Sequence, residues 1–160
     1  MADKLSHIGK RGQPSMVNVA HKEITHRVAT AVGTLLPGRS VLQALRKGKL
    51  STPKGPVFTT ASLAGVMAAK RTADLIPLCH PLPIDDCQVS IRIKGTRILI
   101  EGRVTTTGKT GVEMEALTAV SVAALTVYDM CKALSHDIVI EEIRLTEKRG
   151  GKSDFRRTRR

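Results

Sequence analysis

A cysteine and a histidine stand side by side among three prolines in the segment LIPLCHPLP, residues 75–83. Proline fixes φ and removes a backbone donor, so neither a helix nor a central strand is expected here. The segment should be stiff and extended, and it should hold Cys79 and His80 partly desolvated among leucines. This arrangement indicates a chemical role. A buried crossover with a hydrogen-bonded histidine and a small apolar cysteine is the alternative.

A pair of opposite charges follows an uncharged run that extends from residue 116 to residue 128. Asp129 and Lys132 are three residues apart, so on a helix they share a face, where they can pair and tune each other's proton affinity. An ordinary surface ion pair is the alternative. At the other end of the same predicted helix, Glu113 and Glu115 fall in the first turn, where the dipole favours carboxylates whatever their function.

Two Gly-Lys-Thr/Ser sequences resemble part of the phosphate-binding P-loop, and both fail its spacing. In the first, at residues 108–110, five residues separate Gly108 from the upstream glycine Gly102, where the motif requires four. The second, at residues 151–153, has Thr146 at that glycine's position. A zinc site is disfavoured because adjacent Cys and His rarely both reach one ion and the paired spacings are missing. Its ligands would be Cys79, His80, Cys87 and Cys131.

The composition predicts one domain spanning residues 1–160 with an aliphatic core. The chain is long enough to bury a core without disulfides or metals, and it contains no Trp, one Tyr and two Phe. Its three cysteines form no CxxC pair, which favours reduced thiols and a cytoplasmic location. No secretory or membrane segment is predicted, since the uncharged run is too short to span a bilayer.

The formal net charge of +12 favours an anionic partner. No acidic residue occurs between Ile24 and Ala73, and the segment from Arg144 to Arg160 carries eight Lys or Arg. We predict a basic, flexible tail from about residue 149. Nucleic acid and phosphorylated metabolites both fit this charge, so a nucleic-acid-binding module is an alternative function. The scarcity of aromatics and the absence of a reading-helix or zinc-finger pattern disfavour it.

Periodicity and chain breakers predict an α+β fold. The predicted elements are a strand at Met16–Ala20, a helix from Ile24 to Leu35, a short helix over Val41–Leu45, a loop at 47–56, a helix from about Thr60 to Thr72, a hairpin over Val89–Ile100, a loop at 105–111, a helix from about Val112 to Leu134 and a strand at Ile138–Thr146. This order gives a ferredoxin-like sandwich, an antiparallel-rich sheet packed against helices.

Three stretches resemble the cyclic pyranopterin monophosphate synthase family, also called molybdenum cofactor biosynthesis protein C. They are LIPLCHPLP, TGKTGVEMEALTAVSVAALTVYDMCKA at residues 107–133, and the late GGKS. The similarity extends from about Met16 to Ser153. It implies a ferredoxin-like subunit in a homohexamer, a trimer of dimers with active sites at the dimer interfaces.

The resemblance also implies a reaction. The family converts 3′,8-cyclo-7,8-dihydroguanosine 5′-triphosphate to cyclic pyranopterin monophosphate with release of pyrophosphate, as a lyase of molybdenum cofactor biosynthesis. It implies no resident cofactor and no metal ligand, and it leaves open whether magnesium accompanies the triphosphate. No membrane partner is implied.

A third interpretation is that the protein is a purely structural assembly subunit, in which Lys132 would be dispensable.

The family's site residues are carried over by motif. Asp129 and Lys132 would be the acid/base pair, joined by Lys54 as a proton donor or phosphate neutraliser. The substrate pocket would be lined by Leu78, Cys79, His80, Met114 and Glu115, supported by Glu113, with Lys22, Arg27 and Lys152 on the triphosphate.

This chain departs from the family pattern at two places. Asn18 stands where the family usually has Asp in MVDV, so a proton or structural role of that carboxylate is in question. The pattern KSGGKSG is here KRGGKSD, in which Arg149 keeps the loop basic and Asp154 ends it.

Overall fold

The computed structural model describes residues 12–46, 51–52 and 55–158. Its elements in chain order are β1 (Thr25–Leu36), α1 (Gly38–Arg46), β2 (Ser51–Thr52), β3 (Gly55–Pro56), α2 (Val57–Ala69), α3 (Thr72–Leu75), β4 (Asp86–Lys94), β5 (Arg97–Gly108), α4 (Glu113–Cys131), β6 (Val139–Arg149) and β7 (Phe155–Arg156). The loop that carries Lys54 lies partly outside the described residues, and Lys54 itself is among those left out.

The main sheet has five strands in the order β4-β5-β1-β6-β7. Each adjacent pair in it is antiparallel. The elements β1, α2, β4, β5, α4 and β6 form the βαββαβ sequence of a ferredoxin-like fold, which confirms the predicted fold class. Strands β2 and β3 pair separately as a small ribbon.

Helices α2 and α4 pack on each other and on one face of this sheet. The core between them is aliphatic, as predicted, and α4 contributes small side chains to it at Ala116, Ala119 and Ala123. A glycine on β1 also lets α4 come close to the sheet, because a Cβ added at Gly33 would lie 2.7 Å from Val120 Cγ1. The predicted long helix and the hairpin are therefore confirmed, with α4 ending at Cys131 rather than Leu134.

The predicted helix from Ile24 to Leu35 is wrong, because this segment is the central strand β1. Val28, Val32 and Leu35 fit a helical period. In the structure, however, every second residue faces the helices and is buried, and the residues between them lie on the opposite face of the sheet. The buried positions are Ala29, Ala31, Gly33 and Leu35. β1 pairs with both β5 and β6, so tertiary pairing decides between the two periods.

Other element boundaries differ from the predictions. The predicted strand at 16–20 forms no regular structure, and β5 continues to Gly108 through part of the predicted loop at 105–111. β6 runs to Arg149, beyond the predicted end at Thr146. Part of the predicted basic tail pairs with the sheet: Lys148 is in register with Phe155, and Arg157 N donates to Thr146 O at 2.8 Å.

Candidate active site

A cavity of about 430 Å³ lies where β1 begins, β5 and β6 end and α4 starts. All nine residues predicted to bind substrate line it: Lys22, Arg27, Leu78, Cys79, His80, Glu113, Met114, Glu115 and Lys152. The antiparallel register explains this convergence, because it sets Thr25 opposite Gly108 and Val28 opposite Arg149. The cavity also fits the rule that ligand sites form where several chain segments meet.

The proline segment forms one wall of the cavity, and its last residue and the two that follow are held to β5. Asp85 N donates to Thr105 O at 2.9 Å, and Thr107 Oγ1 donates to Asp85 Oδ2 at 2.8 Å. Thr106 Oγ1 donates to the carbonyl oxygen of Pro83. The segment has no helix or strand between α3 and β4, as its prolines predicted. Cys79 and His80 are thus presented from a fixed backbone.

Cations dominate the cavity lining. Its lysines and arginines are Lys22, Arg27, Lys148, Arg149 and Lys152, against the carboxylates of Glu113 and Glu115. Arg27 is fixed by its Nε, which donates to Gly108 O at 3.1 Å. Lys148 Nζ lies 3.3 Å from Glu113 Oε1, so an ion pair joins the end of β6 to the start of α4. A cavity with this surplus of positive charge attracts a phosphorylated small molecule.

Glu115 is the buried acid of the cavity, with only 4% of its surface exposed. Burial raises the pKa of its carboxyl to about 6, and the charge of Glu113 adds to the rise. A group with this pKa can hold or release a proton near neutral pH. Burial, and then the charge of Glu115, raise the pKa of the Cys79 thiol, which favours the neutral thiol over the thiolate.

Asn18 has a structural role despite its missing carboxylate. Its Oδ1 accepts a hydrogen bond from Ala20 N at 2.9 Å, which closes a turn between the cavity residues Val17 and Val19 on one side and Lys22 on the other. An amide oxygen accepts this bond as an aspartate oxygen would. The Asp-to-Asn departure from the family pattern therefore leaves the local backbone supported.

Asp129 and Lys132 lie at the opposite end of α4 from the cavity. Their side chains form an ion pair of 2.7 Å, and both are about half exposed, at 46% and 49%. A hydrogen bond and the charge of Asp129 raise the pKa of Lys132. Because Glu115 and Asp129 are fourteen residues apart, the helix separates them by about 21 Å. A single subunit therefore does not bring the predicted acid/base pair to the cavity.

The cysteines do not assemble into a metal centre in the described part of the chain. Within those ranges no group of three His, Cys, Asp or Glu side chains is placed to hold an ion. Cys131 is fully buried in the core, and burial raises its pKa to about 11. Burial and the charge of Asp86 likewise raise the pKa of Cys87 to about 11.

Helix α4 is long and apolar enough to cross a membrane by length and composition. However, 56% of its apolar window is buried inside the protein, where it forms the core. This helix is thus the core helix of the domain.

Sequence reasoning missed several cavity residues, among them Lys148, Thr110 and Ser153. Lys148 precedes the glycine pair of the late basic motif, and its position at the end of a strand was the signal that could have identified it. Because the sequence predicted that the last strand ends at Thr146, Lys148 was not placed on this strand.

The fold and the cavity together define a ferredoxin-like α+β protein with a cationic small-molecule site. Residues 16–151 match the sequence model of the MoaC family, and the chain belongs to that family. It is 53% identical over 152 residues to the cyclic pyranopterin monophosphate synthase of Thermomicrobium roseum, covering 94% of this chain and 90% of that protein. It is 54% identical over 149 residues to the synthase of the same name from Novosphingobium aromaticivorans, covering 93% of this chain and 94% of that protein.

A relative in Drosophila melanogaster is much longer. It is named molybdenum cofactor biosynthesis protein 1, and it is 49% identical over 156 residues, which are 96% of this chain and 27% of that protein. The matched region therefore also occurs as one part of a larger chain.

Proposed function

We propose that this protein is an enzyme of molybdenum cofactor biosynthesis that forms cyclic pyranopterin monophosphate. Its substrate is the cyclised guanosine triphosphate 3′,8-cyclo-7,8-dihydroguanosine 5′-triphosphate, and pyrophosphate is released. One observation carries the proposal: residues from four separate segments, matched to the synthase family by motif, meet in one cationic cavity. Membership of the MoaC family and about half-identity to named synthases support it.

The chemistry of the cavity fits this reaction. A triphosphate and a departing pyrophosphate need fixed cations, which Arg27, Lys22 and Lys152 supply. Opening the imidazolone ring and closing the pterin ring need groups that both give and take protons. Glu115, with its pKa of about 6, is suited to such a role beside Cys79 and His80.

The proposed acid/base pair reaches the cavity from a second copy of the chain. The separation of about 21 Å along α4 requires this if Asp129 and Lys132 act on the same substrate as Glu115. Exposed apolar side chains lie on the helical layer: Leu63 and Met67 on α2 are 61% and 51% exposed, and Leu125 on α4 is 58% exposed. We propose a homohexamer built as a trimer of dimers, with each site at a dimer interface, and a cytoplasmic location.

Incubating the purified protein with the cyclised nucleotide and measuring the pyrophosphate released tests the proposal.

Lys54→Ala should lower the rate at least ~100-fold, the usual effect of losing an acid/base group. Lys54→Arg is the sharper control, because arginine keeps the charge but holds its proton at neutral pH. A rate within threefold of wild type in Lys54→Ala would remove this residue from the mechanism, and rescue by arginine would reduce its role to electrostatics.

Two further controls separate this function from its alternatives. Lys132→Ala should assemble normally and lose activity, whereas a structural subunit would tolerate the change. Repeating the assay with EDTA tests whether magnesium accompanies the triphosphate, since the side chains proposed here supply the proton transfers without it. No observation favours the nucleic-acid-binding alternative.

A further inference from the structure

The turn between β6 and β7 carries Lys152 and Ser153 to the cavity. Gly150 begins this turn with φ of +83°, a conformation that favours glycine. A Cβ at this position would clash with the carbonyl oxygen of His26, so the turn lies directly against β1. The backbone is thus forced close to Arg27: a Cβ added at Gly151 would lie 3.1 Å from Arg27 Nη1.

Two hydrogen bonds fix Gly150 in this place. Thr25 Oγ1 donates to Gly150 O at 2.7 Å and ties the turn to the start of β1. Gly150 N donates to Asp154 Oδ1 at 3.1 Å, which closes the turn across the residues that line the cavity. Lys152 lies at the centre of this closed loop. Its direction is therefore set by a backbone that Asp154 holds in one shape.

We propose that Asp154 is a positioning residue that presents Lys152 to the phosphate end of the ligand, an inference that rests on the proposed function. The negative charge of Asp154 does not itself attract an anionic ligand, because like charges repel. The useful property of Asp154 is therefore the hydrogen bond to Gly150 N, and not its charge. An asparagine would keep the acceptor and remove the charge.

The test compares two neutral variants, Asp154→Asn and Asp154→Ala, in the full chain in its native oligomer. The probe is inorganic pyrophosphate, and its Kd is measured by titration calorimetry at one ionic strength. Since both variants lack the charge, their Kd ratio isolates the hydrogen bond. We expect Asp154→Ala to bind about three- to tenfold more weakly than Asp154→Asn, the effect of one net hydrogen bond. Equal Kd values, or no binding of pyrophosphate by the wild type, would overturn the inference.

A double-mutant cycle shows whether Asp154 acts through Lys152. When both variants also carry Lys152→Ala, the ratio of the Kd of Asp154→Ala to the Kd of Asp154→Asn should fall to about one, because the positioned side chain is gone. A ratio that persists would assign the effect to the turn itself and contradict the positioning role. The matched control is the pair Glu141→Gln and Glu141→Ala on β6, the strand that precedes the turn. There the carboxylate pairs with Arg97, and no effect on Kd is expected.

The thermal midpoint of unfolding separates positioning from folding. Asp154 is exposed, so both of its variants should unfold within about 2 °C of the wild type. The proposed function is tested separately by product formation in the wild type. If the wild type releases no pyrophosphate from the cyclised nucleotide, the proposed function fails while the pyrophosphate titrations still decide the role of Asp154.

Discussion

Glu115 shows how burial decides the protonation of a carboxylate at a helix start. The N-terminal turn of α4 would lower its pKa, because backbone N–H groups and the dipole stabilise the anion there. The bond to the backbone does lower it, but burial is the larger effect and raises the pKa to about 6. From sequence alone, Glu113 and Glu115 were equivalent. They differ in the fold because only Glu115 turns into the core, at 4% exposure.

Glu115→Gln should therefore make the protein more stable at neutral pH. A carboxyl whose pKa is raised from 4.5 to about 6 contributes stability that is present below pH 4.5 and lost as the pH rises through 6. Glutamine stays neutral, so it recovers about 2 kcal/mol above pH 6, or roughly 4–8 °C in the thermal midpoint. We expect this gain at pH 7.5 and none at pH 4.5, measured at one protein concentration. Glu23→Gln, an exposed carboxylate, is the control, and a gain of equal size there would contradict the burial argument.

Asp129 and Lys132 should behave as one catalytic unit. Asp129→Asn removes the charge that raises the pKa of Lys132, so the alkaline limb of the pH–rate profile should shift to lower pH. The double variant with Lys132→Ala should be hardly slower than the worse single variant, because members of one unit are strongly non-additive. Single-turnover rates in the native oligomer measure this. If the rate losses of the two single variants multiply in the double variant, or if Asp129→Asn has a near-normal rate, then Asp129 and Lys132 form only an ordinary surface ion pair.

The residues of the cavity were predictable by motif, but their chemical state was not. Cys79 and His80 were singled out by the prolines around them, and both line the cavity. Whether Cys79 is a thiolate depends on burial and on the charge of Glu115, which comes from another element. Such through-space neighbours carry no local sequence signal.

At the scale of elements, the sequence predicted α4 and the hairpin because each has one dominant period. β1 was misassigned because THRVATAVGTLL satisfies both the helical and the alternating patterns. Thr30, Val32 and Thr34 favour a strand, and pairing on both sides by β5 and β6 makes the strand the stable choice. The fold class survived this error, since the hairpin, the long helix and the last strand that follow were predicted in the right order.

The fit of α4 on the sheet depends on a glycine beneath Val120. Gly33→Ala should destabilise the protein by about 1–3 kcal/mol, because its Cβ would lie 2.7 Å from Val120 Cγ1. Val120→Ala alone leaves a cavity and is also destabilising. The double variant should be more stable than the sum of the two losses predicts, since each change relieves the other. Chemical denaturation of the four proteins tests this, and strict additivity would show that the contact does not limit helix packing.

The net charge of +12 is a property of the whole molecule, and two surfaces carry part of it. One is the cavity with its five cations, and the other is the face of the sheet turned away from the helices. There Arg92, Arg103 and Arg144 project from three different strands. Arg156 and Arg157 do not line the cavity, and their role stays a prediction.

The proposed function divides the site between the two ends of α4, and it therefore predicts that catalysis requires assembly. The N-terminal end of α4 places Glu115 in the cavity, which Arg27 of β1 also lines, and the other end carries Asp129 and Lys132. A stable monomer with full activity at micromolar concentration would contradict this arrangement. Light scattering with an activity measurement on the same sample provides that test.

Complementation decides whether two subunits share each site. Arg27→Ala and Lys132→Ala should each be nearly inactive alone. In randomly mixed oligomers, about a quarter of the sites would combine an intact cavity from one subunit with an intact pair from another, so about a quarter of the wild-type rate should return. The matched control mixes Asp129→Ala with Lys132→Ala, whose lesions lie at the same end of α4, and it should stay inactive. If mixed oligomers are shown to form and neither mixture regains activity, Arg27 and Lys132 are needed in the same subunit, which contradicts a site shared between subunits.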